Sequence, residues 1–197
     1  MNSNSQPSAG APVPEVAEAS KRRGRRAAVA RRLLAKAADA AATLDWDTLD
    51  RAPEWLALRE AALAAFERRV GALLCAPALR LWIDGPRIAA ARAALGDAFL
   101  RALLAEHDKP AVDAGAPAPP RLQSAERVAT LLQAAGAGVL LASLPAGPLR
   151  RAATGVLSAG IPLTMVPELA QALVARTWAI AAQCDGVFVA DAQEVEA

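Results

Sequence analysis

From Val128 to Leu149 the chain runs for 22 residues without a charge, and from 128 to 184 the only charged side chains are Arg150, Arg151, Glu168 and Arg176. Apolar surface of this extent belongs in a bilayer or in a protein interior, because water rejects it. The run is long enough to span a membrane. Its composition argues against that: Gln133, Gly136, Gly138, Pro145, Gly147 and Pro148 interrupt it, and prolines in its last third prevent a straight helix from continuing. It therefore reads as a buried core helix, with a membrane-associated hairpin of residues 128–184 as the lesser alternative. The glycines of "GAG" at 136–138 lie within the helical pattern, with neither a lysine nor a preceding strand. They suit the close approach of a second helix rather than a phosphate cradle.

A core helix needs partners, and the rest of the chain supplies them as helices. Alanine dominates the composition and loses no side-chain entropy in a helix. Trp55, Leu58, Ala62, Phe66, Val70 and Leu73 recur at spacings of three and four, which predicts one apolar stripe. Glu54, Glu60, Glu67, Arg68 and Arg69 are expected on the opposite, polar side. Pro77 interrupts this helix. Asp84, Pro86 and Gly96 then have the positions of an N-cap, a first-turn proline and a terminating glycine, and Asp97 restarts a further helix. Ser124 suits a helix cap, Pro148 and Pro167 suit first turns, and helices are expected over 124–144, 148–158 and 167–184. The fold class read from these signals is all-α: an irregular bundle of about six or seven helices in two subregions. Residues 1–20 are expected to form a disordered leader and 21–42 a basic helical arm, its helical signal starting near Arg25. Residues 43–106 then form an N-terminal helical subdomain, 107–122 a linker, 123–184 a C-terminal apolar subdomain and 185–197 an acidic tail.

The charges are unevenly placed. Residues 21–36, "KRRGRRAAVARRLLAK", carry eight positive charges and no acid, whereas the last thirteen residues carry four acids and no base. The basic stretch, with Arg22, Arg23, Arg25 and Arg26, has the footprint of a phosphate binder. The short helix after Asp84-Gly85-Pro86 offers only Arg87 and Arg92 for reading bases, too little for a recognition helix. A basic-armed nucleic-acid-binding protein is thus the alternative reading, and a solvated arm, or one docking on an acidic protein or anionic lipid, the preferred one.

Catalytic chemistry finds little to work with. His107 is the only histidine, and Cys75 and Cys184 are isolated, so no zinc tetrahedron can be assembled; two free thiols are expected. Asp45, Asp47 and Asp50 lack the glycine and the bidentate glutamate of a calcium loop and read as capping and turn residues. Ser158 in "GVLSAG" has one residue too many for a nucleophile elbow. We expect no enzyme, no metal and no cofactor. Four tryptophans among so few aromatics leave room for an exposed anchor, with Trp82 the candidate, because tryptophan is enriched at binding hot spots.

Two stretches then matter together. "RRVGALLCAPALRLWIDGPRIAAARAALG", an alanine- and proline-bearing linker, and "GAGVLLASLPAGPLRRAATGVLSAGIPL" resemble, in pattern and order, the SctK/YscK-type accessory proteins of bacterial type III secretion systems. The corresponding pieces are Leu79–Gly96 and Val139–Arg151, and the resemblance covers roughly residues 55–165. It implies a non-enzymatic adaptor of the sorting platform, at the cytoplasmic face of the inner membrane and peripherally associated with it. Its partners would be an SctQ-type pod protein and an SctD-type ring protein. The interaction candidates are Trp82, Arg87 and Arg92 at one corner, Arg150 and Arg151 at a second joint, and Arg22, Arg23, Arg25 and Arg26 on the basic stretch. These are chosen on physical grounds and not carried over from the family.

Overall fold

The uncharged run becomes the helix around which the others assemble. The structure, a computed structural model, describes residues 14–82, 85–105 and 124–184. Among them are ten α-helices and one 3-10 helix, and no strand. In chain order these are α1 (Pro14–Lys36), α2 (Ala38–Ala41), α3 (Trp46–Asp50), the 3-10 helix (Glu54–Ala57), α4 (Glu60–Leu74), α5 (Ala76–Leu79), α6 (Gly85–Leu95), α7 (Asp97–Ala105), α8 (Ala125–Ser143), α9 (Pro148–Thr154) and α10 (Pro167–Cys184). The count exceeds the six or seven expected because several one-turn helices, α2, α3 and α5, fill the joints. None of the described helices is long and apolar enough to cross a membrane.

The local stop and start signals act as read. Ser124 Oγ accepts from the Arg127 amide at 3.3 Å and opens α8; Pro148 and Pro167 begin α9 and α10. Gly96 takes a left-handed φ of 83° between α6 and α7, a conformation that other residues resist. Asp45 caps α3, its Oδ1 accepting from the Thr48 amide at 2.7 Å. Hydrogen bonding from Thr48, by its side chain first and its amide second, holds the Asp45 carboxyl below its usual pKa, so Asp45 has the capping role expected of it.

Helix α8 is enclosed by α4, α6 and α10, and Val128, Leu132, Ala135, Ala137, Val139 and Leu140 are fully or almost fully buried. Its closest neighbour is α4. A Cβ on Gly71 would run into the carbonyl oxygen of Leu132, and one on Gly136 into the carbonyl oxygen of Glu67. The two helices therefore cross antiparallel with backbone against backbone, the close approach foreseen for the "GAG" glycines. Gly138 and Gly160 are similarly close-packed where the chain returns past α8, and the Ile161 amide donates to the Ala134 carbonyl at 3.0 Å. One hydrophobic core joins residues on both sides of the segment 106–123.

Four expectations are corrected. Helix α1 begins at Pro14 rather than near Arg25, so the last part of the expected leader is helical; the composition of 1–13 had hidden the helix formers Glu, Val and Ala that follow. Residues 1–13 lie outside the described residues, as do the 107–122 linker, the 185–197 tail and Asp84. The basic stretch is no free arm: Val29 and Leu33 have no exposed surface, and α1 lies on α2, α3 and the 3-10 helix. The apolar stripe is not one helix, since Trp55 belongs to the 3-10 helix and α4 starts only at Glu60. Finally, Glu67 does not face water. It is 1% exposed, in the core beside Phe66.

Candidate functional site

Among the described residues Glu67 is a charged side chain enclosed in the core, 1% exposed. Glu67 Oε1 accepts from the Ser158 amide at 2.9 Å, and Oε2 accepts from the Ser158 hydroxyl at 2.7 Å and from Gln133 Nε2 at 2.9 Å. Gln133 Nε2 also reaches Ser158 Oγ at 2.7 Å. A carboxylate this deep persists only if its lone pairs are occupied, and here two distant segments occupy them. Ser158 is thereby a structural donor, with its hydroxyl engaged by a carboxylate rather than by an imidazole.

Above this trio α1, the start of α4 and the 156–158 segment leave an open cleft of about 750 Å³. Arg31, Arg32 and Lys36 of α1 line it together with Arg59, and Glu60 faces them. Lys36 Nζ contacts Glu60 Oε1 at 3.4 Å, both side chains well exposed. Burial pulls the Arg32 guanidinium below its usual range, and Glu60 offsets this in part. A second cleft, of about 560 Å³, opens between the 48–55 stretch, the α8–α9 joint and α10. Trp178 lines it and meets Phe66 edge-on at 5.0 Å and 73°.

The residues singled out in the sequence fall in three neighbourhoods. Trp82, at the end of the α5 corner, is only 9% exposed and belongs to the core, so it is no projecting anchor; its neighbour Leu81 is 79% exposed. Arg87 is half-buried on α6. Arg92 Nε pairs with Asp97 Oδ1 at 2.9 Å, and Asp97 also holds Arg101 at 2.9 Å. On α9, Arg150 is half-buried and Arg151 exposed. On α1, Arg22 and Arg23 are exposed, whereas Arg25 and Arg26 are turned inward. Arg25 donates to the Asp50 carbonyl at 2.9 Å and faces Glu54 at 3.7 Å; Arg26 pairs with Asp50 at 3.2 Å and stands over the Trp46 ring at 5.1 Å. Half of the basic cluster is thus employed in fastening α1 to α3. Helix α6 rests on α4, α7 and α8, and α9 on α2 and α8, so the corner and the second joint have different surroundings.

Glu67, Gln133 and Ser158 were missed as a set. A signal existed: Gln133 is the first polar side chain after Thr130 inside the uncharged run, and a lone amide there needs a partner. Among the described residues no group of three or more His, Cys, Asp and Glu side chains is placed to hold a metal ion. Cys75 and Cys184 are free thiols, and burial raises Cys75 to a pKa of about 11, which suppresses its reactivity. Comparison with known proteins finds no matching family model, no similar curated protein and no similar solved structure.

Proposed function

We propose that this chain is a non-enzymatic adaptor of a type III secretion sorting platform, bridging an SctQ-type pod protein to an SctD-type inner-membrane ring protein. The observation that carries the reading is the juxtaposition of the two stretches that bear the resemblance. They are far apart in sequence, yet α6 of the first lies directly on α8 of the second, so they form one structural unit, as parts of one ancestral fold would. Glu67, Gln133 and Ser158 are engaged with one another in the interior, which suits a scaffold whose work is done on its surface. Exposed Leu81, Arg151 and the outward face of α1 with Arg22 and Arg23 are the surfaces through which docking takes place, apolar anchors giving affinity and rim charges giving register and on-rate.

The test is affinity purification of the tagged full chain from its native host under secretion-inducing conditions, read by mass spectrometry. Co-recovery of a pod, stalk, ATPase or ring component is expected. Recovery of nucleic acid or unrelated proteins without any secretion component overturns the adaptor and favours the nucleic-acid reading, for which affinity falls steeply with salt.

A further inference from the structure

The cleft of about 560 Å³ beside α10 has no part in the adaptor reading. One of its walls is a stripe of α10, Gln171, Val174, Ala175 and Trp178, at the three- and four-residue spacing of a single helix face. Val174 and Trp178 are half-buried and Ala175 is exposed. The 48–55 stretch contributes Pro53, Glu54 and the exposed Arg51. Glu54 already faces Arg25 at 3.7 Å, so Arg51 is the cation that the cleft offers. Apolar surface gathered in a hollow favours an apolar occupant, and Arg51 favours one that also carries an acid.

The chain itself supplies such a segment. Residues 185–197 lie outside the described residues and read DGVFVADAQEVEA. Asp185-Gly186 has the composition of a turn, with glycine where a helix commonly ends and the chain reverses. The helical period places position 185 on the same stripe as Trp178, seven residues on. Directly after the glycine come Val187, Phe188, Val189 and Ala190, an apolar run, and then Asp191.

The lengths agree with a return along α10. Trp178 lies eight helical positions before 186, about 12 Å at 1.5 Å per residue, and Ala175 eleven positions, about 16.5 Å. An extended chain advancing about 3.3 Å per residue brings Phe188 back by roughly 7 Å. The remaining gap to Trp178, about 5 Å, is one that two aromatic side chains span. Asp191 comes back by about 16.5 Å, level with Ala175. The two-residue period of an extended chain sets Phe188 and Ala190 on one side and Val189 and Asp191 on the other. With the first pair against α10, the second faces the wall that holds Pro53 and Arg51.

We propose that residues 187–191 of this chain fold back and seat in the cleft, Phe188 against Trp178 and Asp191 against Arg51. Phe66 already meets Trp178 edge-on, so the seated ring joins an aromatic cluster. A segment tethered by one turn stands at an effective concentration in the millimolar range. Another protein therefore enters this cleft only by displacing the segment. The inference is independent of the adaptor reading.

The test is fluorine NMR of the full-length protein carrying 4-fluorophenylalanine at its three phenylalanine positions, with F188L identifying the Phe188 resonance. That resonance is expected away from the position of a solvated chain, shifted by the Trp178 ring, and insensitive to exchanging water for deuterium oxide. A175E sets a carboxylate in the path of the segment and beside Asp191, and should lower the ratio of seated to free segment about tenfold or more. R51E and D191R each lower it a few-fold, the scale of one exposed ion pair, and R51E/D191R restores it. A172E makes the same change on α10 outside the cleft and leaves the resonance in place. Ala172 and Ala175 are both exposed, so the fold survives these changes, and far-ultraviolet dichroism verifies it for every variant. A solvated Phe188 in the wild type overturns the proposal, as does a shift that A175E leaves intact or that A172E removes equally. Failure of the charge reversal to restore seating overturns it too. So does a shift that fades on dilution, since a second copy would then supply the segment.

Discussion

Glu67 shows how a single residue can be wrongly placed by periodicity and yet be rational in the fold. Helix α4 buries two adjacent stripes, one through Phe66, Val70 and Leu73 and another through Leu63, Glu67, Gly71 and Leu74, because it is covered by α8 and also touched by α10, α6 and α5. A reading that allots one stripe to the core assigns Glu67 to water. The apolar positions were legible in the sequence; the carboxylate was not, because its partners lie 66 and 91 residues further along. Glu67→Ala strips the acceptor from three partly buried donors and is expected to lower stability by roughly 2–4 kcal/mol, with Glu67→Gln less severe; urea titration followed by dichroism measures both. Cys75 supplies a pH-dependent counterpart. Its folded pKa of about 11 exceeds the ordinary 9.0, so the unfolded chain loses its thiol proton first. The stability it confers is complete below pH 9 and falls as pH rises to about 11, by roughly 2–3 kcal/mol. Cys75→Ala removes that alkaline slope. At neutral pH a thiol reagent should modify Cys184 promptly and Cys75 only on unfolding.

At the scale of elements, caps and breakers were readable because their chemistry is local: Ser124 serves α8 from within one turn, and Gly96 ends α6 by its own φ. The seating of α1 was not readable, since it depends on Asp50, Glu54 and Trp46 being folded beneath it. The amides around Val29 and Leu33 are accordingly expected to exchange as slowly as other core helix amides rather than at the rate of a solvated arm. Leu33→Ala should cost about 2–4 kcal/mol. The crossing of α4 and α8 is the least forgiving junction. Gly71→Ala or Gly136→Ala sets a methyl group against backbone that has nowhere to go, and each is expected to cost about 3 kcal/mol or more. Gly85→Ala, where a Cβ meets nothing within 4 Å, is the neutral or mildly stabilising control. Thermal melts of the three variants compare them directly.

For the molecule as a whole, the helices before residue 106 and those after 123 share one core. The two subregions legible in the sequence therefore do not behave as independent stability units. Calorimetry should record one transition whose van't Hoff and calorimetric enthalpies agree, and neither 43–106 nor 123–184 alone should give the sharp melt of the full chain. The hydrogen bonds between Glu67 and Ser158 also carry a meaning in time. Ser158 leaves the ribosome some 91 residues of synthesis after Glu67 does, about 5–20 s at ordinary elongation rates. Throughout that interval α4 stands outside the ribosome with the Glu67 side chain on the face that α8 will later cover. That polar group keeps its half of the nascent helix wet and discourages premature partners, until the arrival of its own donors makes burial affordable.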